Sequence, residues 1–185
     1  MKINMGCGTR KIEGYVNLDS YDTFAPDVVH DLESFPWPFD DNAAEEVVFN
    51  HVLEHLGETS KVFLGIMSEL YRICAPNAQV VIKVPHPRHD DFINDPTHVR
   101  PVTPEMLALF DLDLNHEWQE KGGANSKLAM ALGVDFNIEQ VAIVPEKVYQ
   151  EKMESGDLTL QQIANLARKD LNVIRETAIL LRVRK

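Results

Sequence analysis

Two groups of residues combine types and spacings that could do chemistry. The first lies near the start, where Lys2-Ile3-Asn4-Met5 runs into Gly6-Cys7-Gly8 and a second short stretch, Val16-Asn17-Leu18, ends in Asp19. Glycines let a backbone turn sharply and let a ligand approach the main chain closely. A carboxylate at the tip of the next parallel strand is placed to accept hydrogen bonds from both hydroxyls of a ribose. Together they imply a nucleoside-containing cofactor across the carboxyl ends of a parallel sheet. Gly-x-Gly alone would equally mark a strand-ending turn. The dinucleotide fingerprint needs a third glycine, and Lys11 stands where it would fall, which disfavours NAD and FAD.

The second group is Pro85-His86-Pro87-Arg88-His89-Asp90-Asp91 with Asp95-Pro96-Thr97-His98-Val99-Arg100-Pro101. It follows a strand-like run, so it should overhang the sheet edge where ligands bind in open α/β folds. Imidazoles and carboxylates could hold a divalent metal there, with His86, His89, Asp90 and His98 as candidate ligands. They could equally supply a general base near neutral pH, His89 or His98 first and His86 behind them. A proline-stiffened loop of solvated charges and Asp/Thr turn bonds is the third reading.

These groups need elements to position them. Strand-like runs occur at residues 2–5, 15–19, 27–31, 46–50 and 79–84. The last two are continuous and Val-rich, the pattern of strands buried on both faces of a parallel sheet. Phe63, Ile66, Met67, Leu70, Ile73 and Cys74 make one apolar stripe and predict a helix over residues 59–74, capped by Thr59 or Ser60 and stopped by Pro76-Asn77. A shorter helix is predicted over 104–110, with Thr103 as N-cap and proline at the first helical position. Residues 124–132 and 158–169 read as helical, and 136–144 and 173–184 as extended. Trp118, Gly122-Gly123 and Asn125-Ser126 read as a loop, with Trp118 packed in the core rather than walling a ligand. The link from Gly8 to the second strand is shorter than the ~12 residues a crossover helix takes.

Composition sets bounds. A chain of 185 residues, 44% hydrophobic and without linker or repeat, fits a single domain over 1–185. A net charge of −11 argues against non-specific nucleic-acid binding. The cluster Arg182-Val183-Arg184-Lys185 reads as a soluble strand end. Cys7 and Cys74 make neither a disulfide framework nor a thiolate zinc site. No apolar run approaches the ~18 residues of a spanning helix, and the first residues look like a strand rather than a signal peptide. The expectation is a cytoplasmic protein with no membrane partner.

Asn4-Met5-Gly6-Cys7-Gly8 followed by Gly14-Tyr15-Val16-Asn17-Leu18-Asp19 resembles the cofactor motif of class I S-adenosylmethionine-dependent methyltransferases. Further stretches match that superfamily in order. Asp27-Val28-Val29-His30-Asp31-Leu32 with Phe35-Pro36-Trp37-Pro38-Phe39 is similar to its adenine-side strand and the turn after it. Val47-Val48-Phe49-Asn50-His51-Val52-Leu53-Glu54-His55-Leu56 resembles its fourth-strand motif. Glu69-Leu70-Tyr71-Arg72, Pro76 and Val80-Val81-Ile82-Lys83-Val84-Pro85 match its next helix and fifth strand. The departures are Pro76-Asn77-Ala78 in place of Pro-Gly-Gly, a missing third small residue after the elbow, and no helices ahead of the first strand, a segment that often lids the cofactor.

The resemblance implies a Rossmann-like α/β fold: a mostly parallel sheet flanked by helices, with antiparallel edge strands at the C-terminal end. It implies S-adenosyl-L-methionine as cofactor, with Met5, Gly6, Cys7 and Gly8 at the methionine portion and Asp19 on the ribose. Asp31 and the Leu32 main chain would meet the adenine, and Asn50 and His51 would lie beneath the sulfonium. Glu54 and His55 take a structural role, a helical turn that packs and caps locally. Methyl transfer to an oxygen or nitrogen of a small molecule is the expected function, in a possible homodimer that binds no nucleic acid. A cofactor-binding regulatory protein without turnover and a metal-dependent hydrolase built on the His/Asp loop are the alternatives.

Overall fold

In the computed structural model, which describes residues 1–185, Ala44–Asn50 (β4) lies between Lys2–Met5 (β1) and Cys74–Pro85 (β5), parallel to both. Val16–Asp19 (β2) and the two-residue Val28–Val29 (β3) extend the sheet beyond β1. Phe136–Pro145 (β6) and Ile174–Val183 (β7) close the other side, with β7 antiparallel to both β5 and β6. The strand order is β3-β2-β1-β4-β5-β7-β6. The chain therefore leaves β1 in one direction and returns to its other side, which opens a crevice beyond the carboxyl ends of β1 and β4.

The two faces of this sheet differ. Ile3, Val47, Val80 and Leu181 form one cross-strand row, and Met5, Phe49, Ile82 and Ile179 the next; none is more than 1% exposed. Ser60–Ile73 (α1) lays Phe63, Ile66, Met67, Leu70 and Ile73 on these rows. Its N-cap is Thr59, whose side chain accepts from the Val62 amide. Leu107, Phe110, Val134 and Phe136, from the segment after β5, complete the same core.

The row between, Asn17–Asn4–Val48–Val81–Leu180–Gln140, points the other way. No helix joins β1 to β2, β2 to β3 or β3 to β4; the only helical turn there is the 3-10 segment Asp22–Phe24. The row is polar where a helix would otherwise pack. Asn4 Nδ2 donates to Arg10 O and Asn17 Oδ1, both at 3.0 Å, and Asn17 Oδ1 also accepts from the Ile12 amide at 2.8 Å. These amides tie the loop over β1 and β2, while Val81 and Leu180 stay only partly buried.

Several elements depart from the sequence expectation. Pro76-Asn77 does not simply stop α1. The chain passes straight into β5 at Cys74 and bulges, with pairing skipping from Ala44–Cys74 to Glu46–Gln79 and Asn77 at φ +65°. Trp118 lies on a helix, Leu112–Glu120 (α4), rather than in a loop. That helix has a weak apolar stripe and is fixed instead by polar bonds. Asp111 caps it by accepting from the Leu114 amide, and the fully buried Asn115 donates to Leu109 O and Asp111 O. Asp90–Ile93 (α2) and Pro104–Leu107 (α3) are single turns, the latter capped by Thr103 and continued by the 3-10 turn Ala108–Phe110. Leu128–Leu132 (α5) is shorter than expected, and Lys147–Glu154 (α6) was not anticipated. Leu160–Ala167 (α7) starts with a capping box between Thr159 and Gln162. Both cysteines are free and buried, and burial pushes the Cys74 thiol up to about 12. No helix is long and apolar enough to cross a membrane.

The unequal faces give a direct expectation. Ile82→Ala, under α1, should cost about 2–5 kcal/mol in chemical unfolding. Val81→Ala, one residue away on the open face, should cost less than half as much.

Candidate functional site

The turn after β1 is shaped by two glycines with different duties. Gly6 has φ +63°, and a Cβ there would lie 2.7 Å from both Cγ atoms of Val52. Gly8 has φ +48° and would meet nothing within 4 Å, because it faces open space. The Arg10 amide donates to Cys7 O at 2.8 Å and closes the turn.

Asp19 joins this elbow to β2. Its Oδ2 accepts from the Gly8 amide at 2.8 Å and its Oδ1 from the Tyr21 amide at 3.0 Å. The side chain is only 7% exposed, yet each oxygen keeps a lone pair for a further donor. Asp31 sits farther along the same edge, exposed and held in a turn by the Glu33 amide at 2.9 Å. Leu32 beside it is buried, its carbonyl accepting from Trp37 Nε1.

His51 follows β4 at φ +57°, with its amide bonded to Lys83 O. Its Nε2 lies 2.7 Å from Glu176 Oε2 and its Nδ1 3.5 Å from Glu54 Oε1. Glu54 raises the proton affinity of the ring above the usual histidine range, burial opposes it, and Glu176 adds to the rise. The ring thus stands between two carboxyl groups.

These groups surround a cleft with two connected parts that share Gly6, Phe24, His51 and His55. The larger, about 560 Å³, is lined also by Cys7, Gly8, Arg10, Asn50, Glu54 and His98. The smaller, about 260 Å³, reaches Asp19, Tyr21, Asp31 and Leu32. Across the larger part Asp91 pairs with Arg175 at 2.8 Å, and that guanidinium holds the carboxyl below its usual range.

Of the residues expected at a cofactor, Met5 alone does not line the cleft. Its side chain is fully buried under the sheet, part of the core row described above. Of the three candidate bases, only His98 lines it. His86 faces a separate cavity of about 310 Å³ with Val102 and Thr103, where burial and then Arg88 lower its proton affinity. His89 is 6% exposed and committed at both nitrogens: Nδ1 accepts from the Asp91 amide, capping α2, and Nε2 meets Glu146 at 3.1 Å. Asp90 is tied to Asn172 by two hydrogen bonds. His86, His89, Asp90 and His98 therefore do not converge on one metal, and the loop reading of a metal-dependent hydrolase loses that ligand set. Glu54 and His55, expected only to pack, stand at the cleft instead. Their position directly after a strand's carboxyl end was the available signal.

No family model matches the sequence, and no curated protein does. Solved structures do match. An S-adenosylmethionine-dependent methyltransferase from Archaeoglobus fulgidus is 20% identical, with a TM-score of 0.60 over 98% of this chain and 85% of that one. One from Methanosarcina mazei is 14% identical, with a TM-score of 0.56 over 98% and 91%. The 1,6-didemethyltoxoflavin-N1-methyltransferase of Burkholderia thailandensis, solved with S-adenosylhomocysteine and 1,6-didemethyltoxoflavin, is 10% identical at a TM-score of 0.52 over 100% and 71%. The chain has the Rossmann-like fold of these methyltransferases.

The two glycines can be told apart by substitution. Gly6→Ala should destabilise the fold by about 2–4 kcal/mol, since it adds a clash to an unfavourable φ. Gly8→Ala should cost about 1 kcal/mol, the strain of its φ alone, because its methyl points into open space. Denaturant midpoints check both.

Proposed function

We propose that the cleft binds S-adenosylmethionine and that the protein transfers its methyl group to a small-molecule oxygen or nitrogen nucleophile. The observation that carries this reading is Asp19, a nearly buried carboxyl group braced by two backbone amides with acceptor capacity left toward the cleft. A ribose presents two adjacent hydroxyls to such a group. The open space at Gly8 suits the methionine portion, and Asp31 with the Leu32 main chain suits the adenine edge. No helix begins at the elbow, so nothing here favours a pyrophosphate. That agrees with a nucleoside carrying no phosphate.

When bound, S-adenosylmethionine supplies a methyl carbon already activated by the neighbouring sulfonium charge. The protein's own residues then have to orient the partners and exclude water. Glu54 and Glu176 flank His51 near the floor of the cleft, and carboxyl groups there suit a cationic ligand. Among the candidate bases His98 is the one that lines the cleft, and it takes the role of base. Its Nδ1 lies 2.9 Å from Phe92 O, so in the neutral ring Nδ1 carries the hydrogen and Nε2 has the free lone pair. The larger part of the cleft has the volume of a small-molecule site, and the acidic surface disfavours nucleic acid as acceptor.

Titration calorimetry should register one site for S-adenosylmethionine. Asp19→Ala should weaken it about 100-fold, as two hydrogen bonds to a charged acceptor at ~1.5 kcal/mol each would require. A folded wild-type protein giving no heat with millimolar ligand would remove the proposal.

A further inference from the structure

Glu54 and His55 lie in the 3-10 turn Leu53–His55 that follows β4, and His98 in the loop after α2. One ligand atom from each lies within 4.8 Å of the others, and all three side chains line the larger part of the cleft. The Glu54 side chain is 1% exposed, yet neither of its carboxyl oxygens accepts a hydrogen bond. Its nearest charged neighbour, His51 Nδ1, stands 3.5 Å away, beyond a well-formed bond. A buried carboxyl group gives up its hydration and normally takes donors in exchange. Here His51 is the one ion-pair partner of the group, no donor closes a well-formed hydrogen bond to either oxygen, and the residue lines a cleft.

The two histidines are prepared in a complementary way. His98 Nδ1 faces Phe92 O, which can only accept, so the lone pair sits on Nε2. His55 Nδ1 lies 2.9 Å from Thr97 Oγ1, and the Thr97 hydroxyl donates its own hydrogen to Asp95 Oδ1 at 2.6 Å. Thr97 must then accept from His55, which leaves the lone pair of that ring on Nε2 as well. Metal-bound imidazoles are oriented by outer hydrogen bonds of this kind. Asp95 Oδ2 is 3.8 Å from His98 Nε2, too far to occupy it.

We propose that Glu54, His55 and His98 bind one divalent first-row transition cation in the larger part of the cleft. Two imidazoles and one carboxylate suit Zn²⁺, Mn²⁺, Fe²⁺ or Co²⁺, whereas Mg²⁺ and Ca²⁺ prefer oxygen-rich shells. Three protein ligands leave coordination positions open, and the cleft is where they open. Resting on the methyl-transfer reading, the fitting acceptor is one that offers an oxygen donor, a hydroxyl or a carboxylate, to that cation. His98 would then be a ligand rather than the base, and the cation would lower the pKa of a bound acceptor hydroxyl enough for its proton to pass to solvent water.

Protein stripped with EDTA and dialysed should be titrated with Zn²⁺ by calorimetry and with Co²⁺ by visible absorption. One equivalent of each is expected to bind, with the Co²⁺ band of a nitrogen- and oxygen-ligated site. His55→Ala and His98→Ala should each weaken binding at least about 100-fold, and His116→Ala, on an exposed face of α4, should leave it unchanged. Thr97→Val, which removes only the outer bond to His55, should cost about 10-fold or more and guards against misfolding of the other variants. Absence of saturable binding at millimolar metal, or equal binding by a folded double variant of His55 and His98, overturns the site. S-adenosylmethionine titrated into the EDTA-treated protein reads the cofactor separately, so either proposal can fail without the other.

Discussion

The hydrogen bond from the Gly8 amide to Asp19 is the constraint on which the cleft depends. In many α/β proteins the amides after the first strand head a helix, and the summed dipole of that helix sets the charge a ligand must carry. Here the connection is too short for a helix, and its amides are spent locally. One goes to Asp19, another closes the turn on Cys7, and the Cys7 amide continues the strand pairing to Leu18 O. The elbow is closed by its own hydrogen bonds. It offers an anion no helix N-terminus.

Charge enters the cleft from the other side of the switch point. The turn after β4 carries His51, Glu54 and His55 within a few residues, while β7 brings Glu176 and Arg175 to the same edge. The antiparallel strand matters for this: its first residues, not its last, reach the carboxyl ends of the parallel strands. A mostly parallel sheet with one reversed strand thus delivers both ends of β-strands to one site. The long loop after β5 then adds His98 and Asp91 from above.

Much of this was legible because local chemistry and the global fold agree. The Val-rich runs of β4 and β5, the stripe of α1 and the Thr103-Pro104 start of α3 each follow from period or cap alone. Asp19 stands out in sequence as a carboxylate at a strand tip beside the Gly-x-Gly turn, and it both braces that turn and lines the cleft. The failures share a cause. α4 is fixed by the buried Asn115 and the Asp111 cap rather than by an apolar stripe, so periodicity could not find it. His89 and His98 belong to one loop and look alike in sequence, yet contacts with Glu146 and Phe92, distant or unremarkable residues, send one into packing and the other into the cleft. That Glu54 and His55 border a cleft beside His98, more than forty positions later, depends on a long-range contact that no local pattern in the turn encodes.

The polar row across the open face has a further role, in choosing how the strands align. Because successive side chains alternate between faces, sliding one central strand by a single residue exchanges its two rows. In β1 that slip would drive Asn4 under α1 and set Ile3 and Met5 against the polar groups of the covering loop, while Asn17 would lose both its neighbour and the loop it fastens. A sheet greasy on both sides would tolerate such a slip far better. The asparagines thus act as an alignment key, and the polar row helps make the pairing of the sheet unique.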